Sequence, residues 1–400
     1  MTAVLRETTT SPGPALHDIR AQIAGISLDN IANIAKAAFD PTSGVLPLWF
    51  GEGDLASPAF AGEAVTAAIE AGETFYSHQN GVPHLRETLS NYYQNLYGIS
   101  IGLDRTTVTA GGMQAIMLAV QLLVNAGDNV IVIDPVWPNI TGMVKIAGGE
   151  VRSVGMSNDE QGWTLDIDRV RAACDGRTKA IFYASPGNPT GAMLPLEVQR
   201  DLLDFARATG IWLISDEVYH RLVFGERAAP SILTISDPED RVLVINSFSK
   251  SYAMTGWRLG WLVHPPSLAP ILAMMTQYTS SGTTTFLQYA AATALRDGEP
   301  FVAQMNAYCA AGANIVCSAL ETMPRVRMAT RPKAAMYAFF EIDGMPDSKA
   351  ACLDILNKTN VGLAPGMFFG PDATTFLRIC FCRAPSALHE AMDRLRPALS

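Results

Sequence analysis

One short stretch of this sequence carries a lysine, two serines and an arginine at a spacing suited to chemistry. Asn246–Arg258 reads NSFSKSYAMTGWR and follows a run of Val, Leu, Val and Ile. That run predicts a buried strand, so Lys250 is expected just beyond the strand's carboxyl end. A desolvated lysine amine there can form a Schiff base with a carbonyl group. Ser247, Ser249 and Arg258 can bind a phosphate, the arginine in bidentate fashion.

A Schiff-base lysine beside a phosphate-binding cluster is what pyridoxal 5'-phosphate (PLP) requires. An isolated Ser-x-Ser-Lys is equally consistent with a surface lysine beside a turn, so the other polar clusters of the chain decide. These clusters are Gly111-Gly112, Ser185–Gly191 (SPGNPTG) and Asp216–Tyr219 (DEVY). Each follows a run of β-branched and apolar residues, as the lysine stretch does.

The elements that must position these clusters alternate between strands and helices. Strands are predicted at 106–109, 129–134, 179–183, 211–215, 242–245 and 258–263, and helices at 19–39, 62–71, 83–96, 112–124 and 196–209. This alternation predicts an α/β fold with a mostly parallel sheet covered by helices. Ligands bind such sheets at the carboxyl ends of the strands. Every polar cluster named above is expected at such an end.

The last third of the chain changes pattern and predicts a smaller α+β domain. A long helix at 300–321 precedes strands at 337–342 and 374–379, with helices at 349–358 and 387–395. The length of 400 residues also suggests two domains. We predict a flexible tail at 1–16, a segment at 17–50 that packs with the small domain, a large domain at 51–295 and a small domain at 296–400.

Composition excludes several classes of protein. A net charge of −9 argues against nonspecific binding to nucleic acid, and the sequence has no apolar run of membrane-spanning length. The six cysteines lack paired metal-ligand spacing, so no metal site is expected. The polar first residues lack the order of a secretory signal. These features predict a cytoplasmic protein with reduced thiols. Walker A, Rossmann and G-x-S-x-G motifs are also missing, against nucleotide and hydrolase chemistry.

The three motifs SFSK…R, SPGNPTG and DEVY, in this order, resemble the class I/II aminotransferases of PLP fold type I, the aspartate aminotransferase superfamily. The resemblance extends from about Gly51 to Arg378. It implies a transaminase that exchanges an amino group between an L-amino acid and a 2-oxo acid by a ping-pong mechanism with PLP. It also implies a homodimer with shared active sites.

The resemblance assigns roles to the residues around the ring of PLP. Lys250 matches the Schiff-base lysine that also transfers the proton, and Asp216 matches the aspartate that pairs with the pyridine nitrogen. Asn188 and Tyr219 match the pair that hydrogen-bonds the phenolic oxygen. Without the resemblance, a helix or turn cap is the favoured role of Asp216, Asn188 could serve the turn around it, and Tyr219 could be a core residue.

Further residues match the positions that hold the rest of the cofactor. Those matching the phosphate site are Gly111, Gly112, Met113, Ser247, Ser249 and Arg258, with Gly111 and Gly112 at a predicted helix start. Trp137 matches an aromatic residue that stacks on the pyridine face. Tyr76 matches a tyrosine that reaches the phosphate of the neighbouring subunit's site. The alternatives are a simple tight turn for Gly111-Gly112 and a core role for Trp137.

Substrate binding is assigned in the same way. Arg378, amid apolar neighbours on a predicted strand, matches the arginine that clamps the substrate α-carboxylate. A structural salt bridge is its alternative role. Gly51 matches a glycine whose backbone contacts that carboxylate, and Trp137 and Asn188 also border the substrate. Because Arg378 belongs to the predicted small domain, we expect domain closure on substrate.

The side chain of the preferred substrate is less strongly indicated. Position 113, a lysine in some aspartate-using relatives, is methionine here. The loop 277–286, which the family brings from the partner subunit, contains no cation. We therefore expect a substrate that is not strictly dicarboxylic, with Trp49, Tyr76, Met113 and Tyr278 lining a pocket for an aromatic or other apolar side chain. The alternatives are an aspartate aminotransferase and a PLP-dependent carbon–sulfur β-lyase. A non-enzymatic transcription regulator of the same fold is a remote alternative, since no basic DNA-binding helix precedes the motifs.

Overall fold

The computed structural model describes residues 20–27, 29–36, 43–160 and 162–399. Its α-helices are α1 (Ala21–Ala24), α2 (Ile31–Ile34), α3 (Ala59–Glu70), α4 (Pro83–Tyr97), α5 (Gly112–Leu123), α6 (Asn139–Ala147), α7 (Ile167–Ala173), α8 (Leu196–Thr209), α9 (Ala269–Thr279), α10 (Thr285–Asp297), α11 (Glu299–Leu320), α12 (Ser348–Thr359) and α13 (Pro385–Leu399). Its strands are β1 (Leu46–Pro47), β2 (Thr106–Thr109), β3 (Asn129–Asp134), β4 (Glu150–Gly155), β5 (Ser157–Asp159), β6 (Gly162–Thr164), β7 (Thr178–Ala184), β8 (Trp212–Asp216), β9 (Val242–Ser247), β10 (Gly260–Val263), β11 (Val326–Arg327), β12 (Tyr337–Ile342), β13 (Val361–Gly362), β14 (Ala364–Pro365) and β15 (Phe376–Cys380).

Seven of these strands form the sheet that carries the lysine stretch. Their order is β2-β10-β9-β8-β7-β3-β4, and β10 alone runs antiparallel to its neighbours. Alternate residues of each strand face opposite layers of helices. Val130 and Val132 pack in a core with α5 and α6, whereas Ile131 and Ile133 pack in another with α4 and α8. The predicted α/β class and mostly parallel sheet are therefore confirmed.

A second sheet holds the strand that bears Arg378. Its order is β11-β12-β15-β14, and its core is shared with α11, α12 and α13. Arg378 lies on β15 between its register partners, Phe339 on β12 and Ala364 on β14. Strand β1 pairs in parallel with β13, and Ile31 and Ile34 of α2 pack in a cluster with Phe339. The N-terminal segment thus contacts this sheet.

The predicted helix at 19–39 is wrong within the described residues. The chain forms the two single-turn helices α1 and α2 instead, because Asn30 starts a new helix. Its side chain accepts a hydrogen bond from the Asn33 backbone N–H at 3.3 Å, which caps α2. The predicted tail at 1–16 lies outside the described residues.

The prediction also missed the edge strand β4 and the hairpin β5–β6. Both are half exposed and polar, so neither has the apolar run that revealed the central strands. None of the helices in the described ranges combines the length and the apolar character needed to cross a membrane.

Candidate active site

A cavity of about 360 Å³ opens where the carboxyl ends of β7, β8 and β9 meet the start of α5. The predicted site residues that line it are Gly51, Gly112, Met113, Trp137, Asn188, Asp216, Tyr219, Ser247, Ser249, Lys250 and Arg258. Parallel strands bring their carboxyl ends to one edge, which explains the convergence of separate motifs. Lys250 and Arg258 both lie in the connection from the end of β9 to the start of the antiparallel strand β10, so both stay at this edge and line the cavity although eight positions separate them.

Lys250 points into this cavity with its amine held by the backbone. Its Nζ donates a hydrogen bond to the Gly51 carbonyl oxygen at 2.5 Å, and it lies 5.9 Å from the centre of the Tyr219 ring. Burial lowers the pKa of Lys250 below its ordinary value, and the nearby guanidinium of Arg378 lowers it further. A larger neutral fraction of the amine is what a nucleophile and proton carrier needs.

Asp216 ends β8 and lines the same cavity. One carboxylate oxygen accepts a hydrogen bond from the Val218 backbone N–H at 3.2 Å. Burial raises the pKa of Asp216 to about 6, although that N–H and the positive charge of Lys250 both act to lower it. A carboxylate placed here is poised to pair with a cationic group such as a protonated ring nitrogen.

Tyr219 forms a hydroxyl pair that the sequence did not reveal. Its hydroxyl lies 2.5 Å from the hydroxyl of Tyr337, which belongs to β12 of the second sheet. Tyr337 also approaches Gly51 so closely that a methyl group on Gly51 would overlap its hydroxyl. Tyr337 escaped notice because it begins an apolar strand and reads as a core residue. The available signal was a hydroxyl-bearing side chain at the first position of this apolar strand.

Arg378 is fully buried but has no carboxylate partner within 4 Å among the described residues. It donates to Asn188 Oδ1 at 2.8 Å and to the Trp49 carbonyl oxygen, while its Nε has no hydrogen-bond partner. Aromatic rings surround the guanidinium, with the Tyr337 ring centre at 4.4 Å. The alternative of a structural salt bridge is therefore wrong for the described residues. A buried cation without a counterion favours an anionic ligand.

A group of donors beside Lys250 forms a cradle suited to a phosphate. Gly112 starts α5, whose first backbone N–H groups face the cavity. Ser247 Oγ donates to Ser249 Oγ at 2.7 Å, and both side chains are buried at the cavity wall. Gly111 has a φ of 82°, and a methyl group on it would lie 2.5 Å from Arg258 Nη2. A side chain at position 111 would therefore displace that guanidinium from its place beside the start of α5.

The predicted residues that do not line this cavity are Gly111, Arg378, Trp49, Tyr76 and Tyr278, although Arg378 donates a hydrogen bond to the lining residue Asn188. Met113 and Trp137 line the cavity, and the Trp137 ring centre lies 5.6 Å from the Arg378 guanidinium. Trp49 does not line the cavity, because its ring is fully buried against Gly362. Tyr76 and Tyr278 are 92% and 82% exposed and lie outside the lining. The prediction of Trp49 as a wall residue is therefore wrong, whereas Met113 lies where it was predicted. Tyr76 and Tyr278 were predicted to come from the neighbouring subunit, so their place in the pocket stays a prediction.

Several lining residues were missed by the sequence reasoning. They include Phe50, Glu52, Ile116, Asn139 and Thr255. The Thr255 hydroxyl donates to the Glu52 carboxylate, and Asn139 Nδ2 contacts Met113 Sδ at 3.3 Å. Phe50 and Glu52 adjoin Gly51 and Thr255 lies within the lysine stretch, whereas Ile116 and Asn139 had no such signal in the sequence.

Comparison with known proteins agrees with this geometry. The family of class I and II aminotransferases matches residues 48–395 of the chain. The chain belongs to this family. Aminotransferases of this family use PLP, and the cradle, Lys250 and Asp216 provide a phosphate site, an amine and a carboxylate that fit it. The protein is thus a PLP-dependent transaminase, as its motifs predicted.

Two curated relatives and one solved structure illustrate how this aminotransferase compares. An aspartate aminotransferase of Thermotoga maritima is 33% identical, with 92% of this chain and 94% of the relative covered. An arginine–pyruvate transaminase of Pseudomonas aeruginosa is 32% identical, with 90% and 91% covered. The structure of Thermus thermophilus aspartate aminotransferase with maleate is 30% identical at a TM-score of 0.89, with 95% and 99% covered. These names span different amino acids.

Proposed function

We propose that this transaminase moves the amino group of an L-amino acid with an aromatic or other apolar side chain to a 2-oxo acid. The observation that carries this proposal is Met113 at the cavity wall. Lys250 and Arg258 are the basic residues among the described lining, and the site already needs both. A distal carboxylate would therefore meet Met113, Ile116 and Phe50 rather than a cation.

The α-carboxylate of such a substrate would bind Arg378. The guanidinium is buried and still has an unpartnered Nε, so a carboxylate would supply the missing acceptor and charge. Asn188 Oδ1 and the Trp49 carbonyl oxygen hold two of its other nitrogens. Because these contacts fix the plane of the guanidinium, they also fix the orientation of the bound amino acid.

PLP, when bound, withdraws electrons from the α-carbon of the amino acid attached to it. Lys250 then has the position and the lowered pKa to carry the proton that leaves this carbon. Asp216 would keep the pyridine nitrogen protonated, and the hydroxyl of Tyr219 would donate to the ring oxygen. Gly111, Arg258 and the two serines would hold the phosphate, so that the reacting carbon stays beside the amine of Lys250.

We also propose that two copies of the chain form a dimer through one exposed aromatic surface. Phe75, Tyr76 and Tyr278 are 83%, 92% and 82% exposed. Their loops adjoin, since Gln79 donates to Gln277 at 2.8 Å and the Thr285 hydroxyl donates to the Phe75 carbonyl oxygen. Three large exposed aromatic side chains on adjoining loops favour an interface. Tyr76 would then reach the phosphate of the neighbouring site.

Substrate choice is tested by single-turnover mixing of the PLP form with amino acids, followed by absorbance. We expect phenylalanine, tryptophan or methionine to convert the cofactor at least about tenfold faster than aspartate. A faster reaction with aspartate would make the protein an aspartate aminotransferase and defeat the proposal.

The variant Met113→Lys tests the basis of that choice. A cation at this wall should raise the rate with aspartate by about ten- to a hundredfold, since a carboxylate then gains a partner. Ile116→Met, a change of similar bulk without charge on the same wall, is the control. The explanation fails if Met113→Lys leaves the ratio of aspartate to phenylalanine rates unchanged.

A further inference from the structure

A second cavity lies away from Lys250, between the two sheets. It has a volume of about 200 Å³ and is bounded by the carboxyl ends of β3 and β4, the hairpin β5–β6 and the segment 370–376. Two carboxylates line it, Asp134 at the end of β3 and Asp372 in that segment. Neither residue lines the active-site cavity. This second cavity therefore needs its own explanation.

Asp134 is buried in a way that is costly for an acid. Its side chain is 5% exposed, and its Oδ2 has no hydrogen-bond partner among the described residues. The buried Oδ1 of Asn158, on the same cavity wall, is also without a partner. Unpaired buried acceptors cost free energy unless a donor reaches them. The cavity wall thus carries two buried acceptors that lack a donor among the described residues.

No basic side chain of the described residues compensates these carboxylates. No Lys, Arg or His nitrogen there lies within 4 Å of either carboxylate. Two basic side chains contact other parts of these walls. Arg169 donates to the Gly155 carbonyl oxygen at 2.9 Å, and Lys145 lines the neighbouring groove together with Asp134 and Glu150. Burial and the charge of Asp372 raise the pKa of Asp134 to about 7, while Ser153 acts to lower it.

The other walls of the cavity are aromatic and apolar. The Trp163 and Phe376 rings stand 5.7 Å apart, and Met156 and Pro135 complete the lining beside them. An aromatic face attracts a cation, particularly one that is desolvated. No group of three or more His, Cys, Asp or Glu side chains in the described ranges is arranged to hold a metal ion. Carboxylates beside aromatic rings therefore suit an organic cation better than a metal.

We propose that this cavity binds a small organic cation that carries N–H donors, an alkylguanidinium or a primary alkylammonium. Its N–H groups would donate to Asp134 Oδ2 and to the carboxylate of Asp372, and its carbon atoms would lie against Trp163. The bound cation would bridge β3 of the seven-stranded sheet and the segment that precedes β15. This site is separate from the proposed amino acid substrate, so it stands or falls independently of that proposal.

Titration calorimetry of the PLP-loaded protein tests the site with methylguanidinium, which does not react with the cofactor. Ethylammonium is tested on protein whose cofactor has been fixed to Lys250 with borohydride, so that the amine cannot exchange with the lysine. Tetramethylammonium, which has the charge but no N–H donor, is the control ligand. We expect one of the first two to bind at least about tenfold more tightly than tetramethylammonium. Calorimetry near pH 6 in two buffers of different ionisation enthalpy should also show proton release, because the cation favours the ionised form of Asp134.

Variants locate the binding. Asp134→Asn and Asp372→Asn should each weaken it by about tenfold or more, whereas Glu150→Gln in the neighbouring groove should leave it unchanged. The two Asn variants retain the shape of the side chain, and circular dichroism confirms that each is folded. Absence of binding at millimolar ligand, equal binding by tetramethylammonium, tighter binding of Mg²⁺ or Ca²⁺, or unchanged affinity in Asp134→Asn would each overturn the proposal.

Discussion

At the scale of single residues, the amine of Lys250 is subject to opposing influences. Burial and the charges of Arg378 and Arg258 favour its neutral form, while Glu52 and Cys380 favour the charged form. The sum lowers its pKa, and the Gly51 carbonyl oxygen orients the amine. A lysine that is partly neutral and fixed in direction can act both as a covalent anchor and as a proton carrier.

Lys250→Ala should abolish the absorbance of lysine-bound PLP and lower the transamination rate by at least about 10³-fold. The fold should persist, because the removed side chain faces a cavity. Absorbance, borohydride fixation of the cofactor and circular dichroism check these outcomes. Lys358→Ala, at an exposed lysine on α12, is the matched control. Retained activity together with fixable cofactor in Lys250→Ala would contradict the central assignment.

The substitution Asp216→Asn should stabilise the cofactor-free protein but weaken its binding of PLP. Burial raises the pKa of Asp216 in the folded protein to about 6, from an ordinary 3.8. The folded protein therefore holds this proton more tightly than the unfolded chain does. The resulting contribution to the free energy of unfolding is complete below pH 3.8 and is lost as the pH rises through 6. Without PLP, the variant should be more stable than the parent at pH 8, by no more than about 3 kcal/mol, with the difference shrinking towards pH 4.

With PLP, the same variant should bind the cofactor more weakly, because the protonated ring loses its counterion. Urea unfolding at pH 5 and pH 8, and cofactor titration at pH 8, measure both effects. Asp201→Asn, at an exposed carboxylate on α8, controls for charge. If the cofactor-free Asp216→Asn protein were less stable than the parent at pH 8, burial of the Asp216 carboxylate would not lower the free energy of unfolding, and the prediction would be wrong.

At the scale of elements, the start of α5 and the return strand β10 form the anion cradle together. Gly260 of β10 pairs with Thr109 of β2 and with Ser247 of β9. This register places Arg258 beside Gly111. The cradle therefore depends on an antiparallel strand inserted into an otherwise parallel sheet.

Gly111→Ala should weaken PLP binding by about tenfold or more, because the added methyl group displaces the Arg258 guanidinium. Gly127→Ala is the matched control, since Gly127 has a φ of 87° and open space around it. In both variants an alanine must adopt a positive φ, which should lower the free energy of unfolding by about 1–2 kcal/mol. Equilibrium titration with PLP separates the two effects. If Gly111→Ala and Gly127→Ala lost PLP affinity equally, backbone strain and not the displacement of Arg258 would explain the loss.

The sequence predicted these elements wherever one physical signal dominated. Central strands such as β3 and β9 are buried along their whole length, so their β-branched runs gave their positions closely. Strand order depends on contacts between distant residues, and the pairing of β10 between β2 and β9 has no local signature. The prediction of one helix at 19–39 was wrong because it relied on the helical spacing of the apolar residues and gave no weight to Asn30, which caps a new helix.

Site residues could be predicted where they share one sequence motif. They could not be predicted where only the folded chain brings them together. Lys250, Ser247 and Arg258 share one stretch, and the structure brings them to one cavity. Tyr337 comes from the second sheet and reaches Tyr219 across 118 positions of sequence. Trp49 was misplaced because an aromatic residue beside a glycine turn reads equally as a core or a cavity residue. Only packing distinguishes the two.

At the scale of the whole molecule, the proposed dimer would divide the site between two chains. Tyr76 is 92% exposed and lies outside the cavity of its own chain. A tyrosine at the phosphate would then come from the partner, while Lys250 and Arg258 come from the same chain as the cavity. Each cofactor would thus be held by both subunits.

Mixed dimers of Lys250→Ala and Tyr76→Phe chains test this division. If Tyr76 serves the neighbouring site, the mixed dimer has one site with both native residues. That site should bind PLP with the parent affinity, and the rate per dimer should return to about half of the parent value. If Tyr76 served its own chain, no native site would form and the activity of the mixture would stay additive. Dimers of either variant alone, and sedimentation to confirm association, are the controls.

The charge of Arg378 has a practical consequence for enzyme assays. Its guanidinium is buried among aromatic rings without a carboxylate from the described chain, and arginine does not lose its proton in proteins. In the resting enzyme this position should attract whatever small anion the buffer supplies. Chloride or acetate would then compete with the amino acid, so the apparent Michaelis constant should rise linearly with the concentration of the anion while the maximal velocity stays constant. Substrate preferences measured in different buffers are comparable only after extrapolation to zero competing anion.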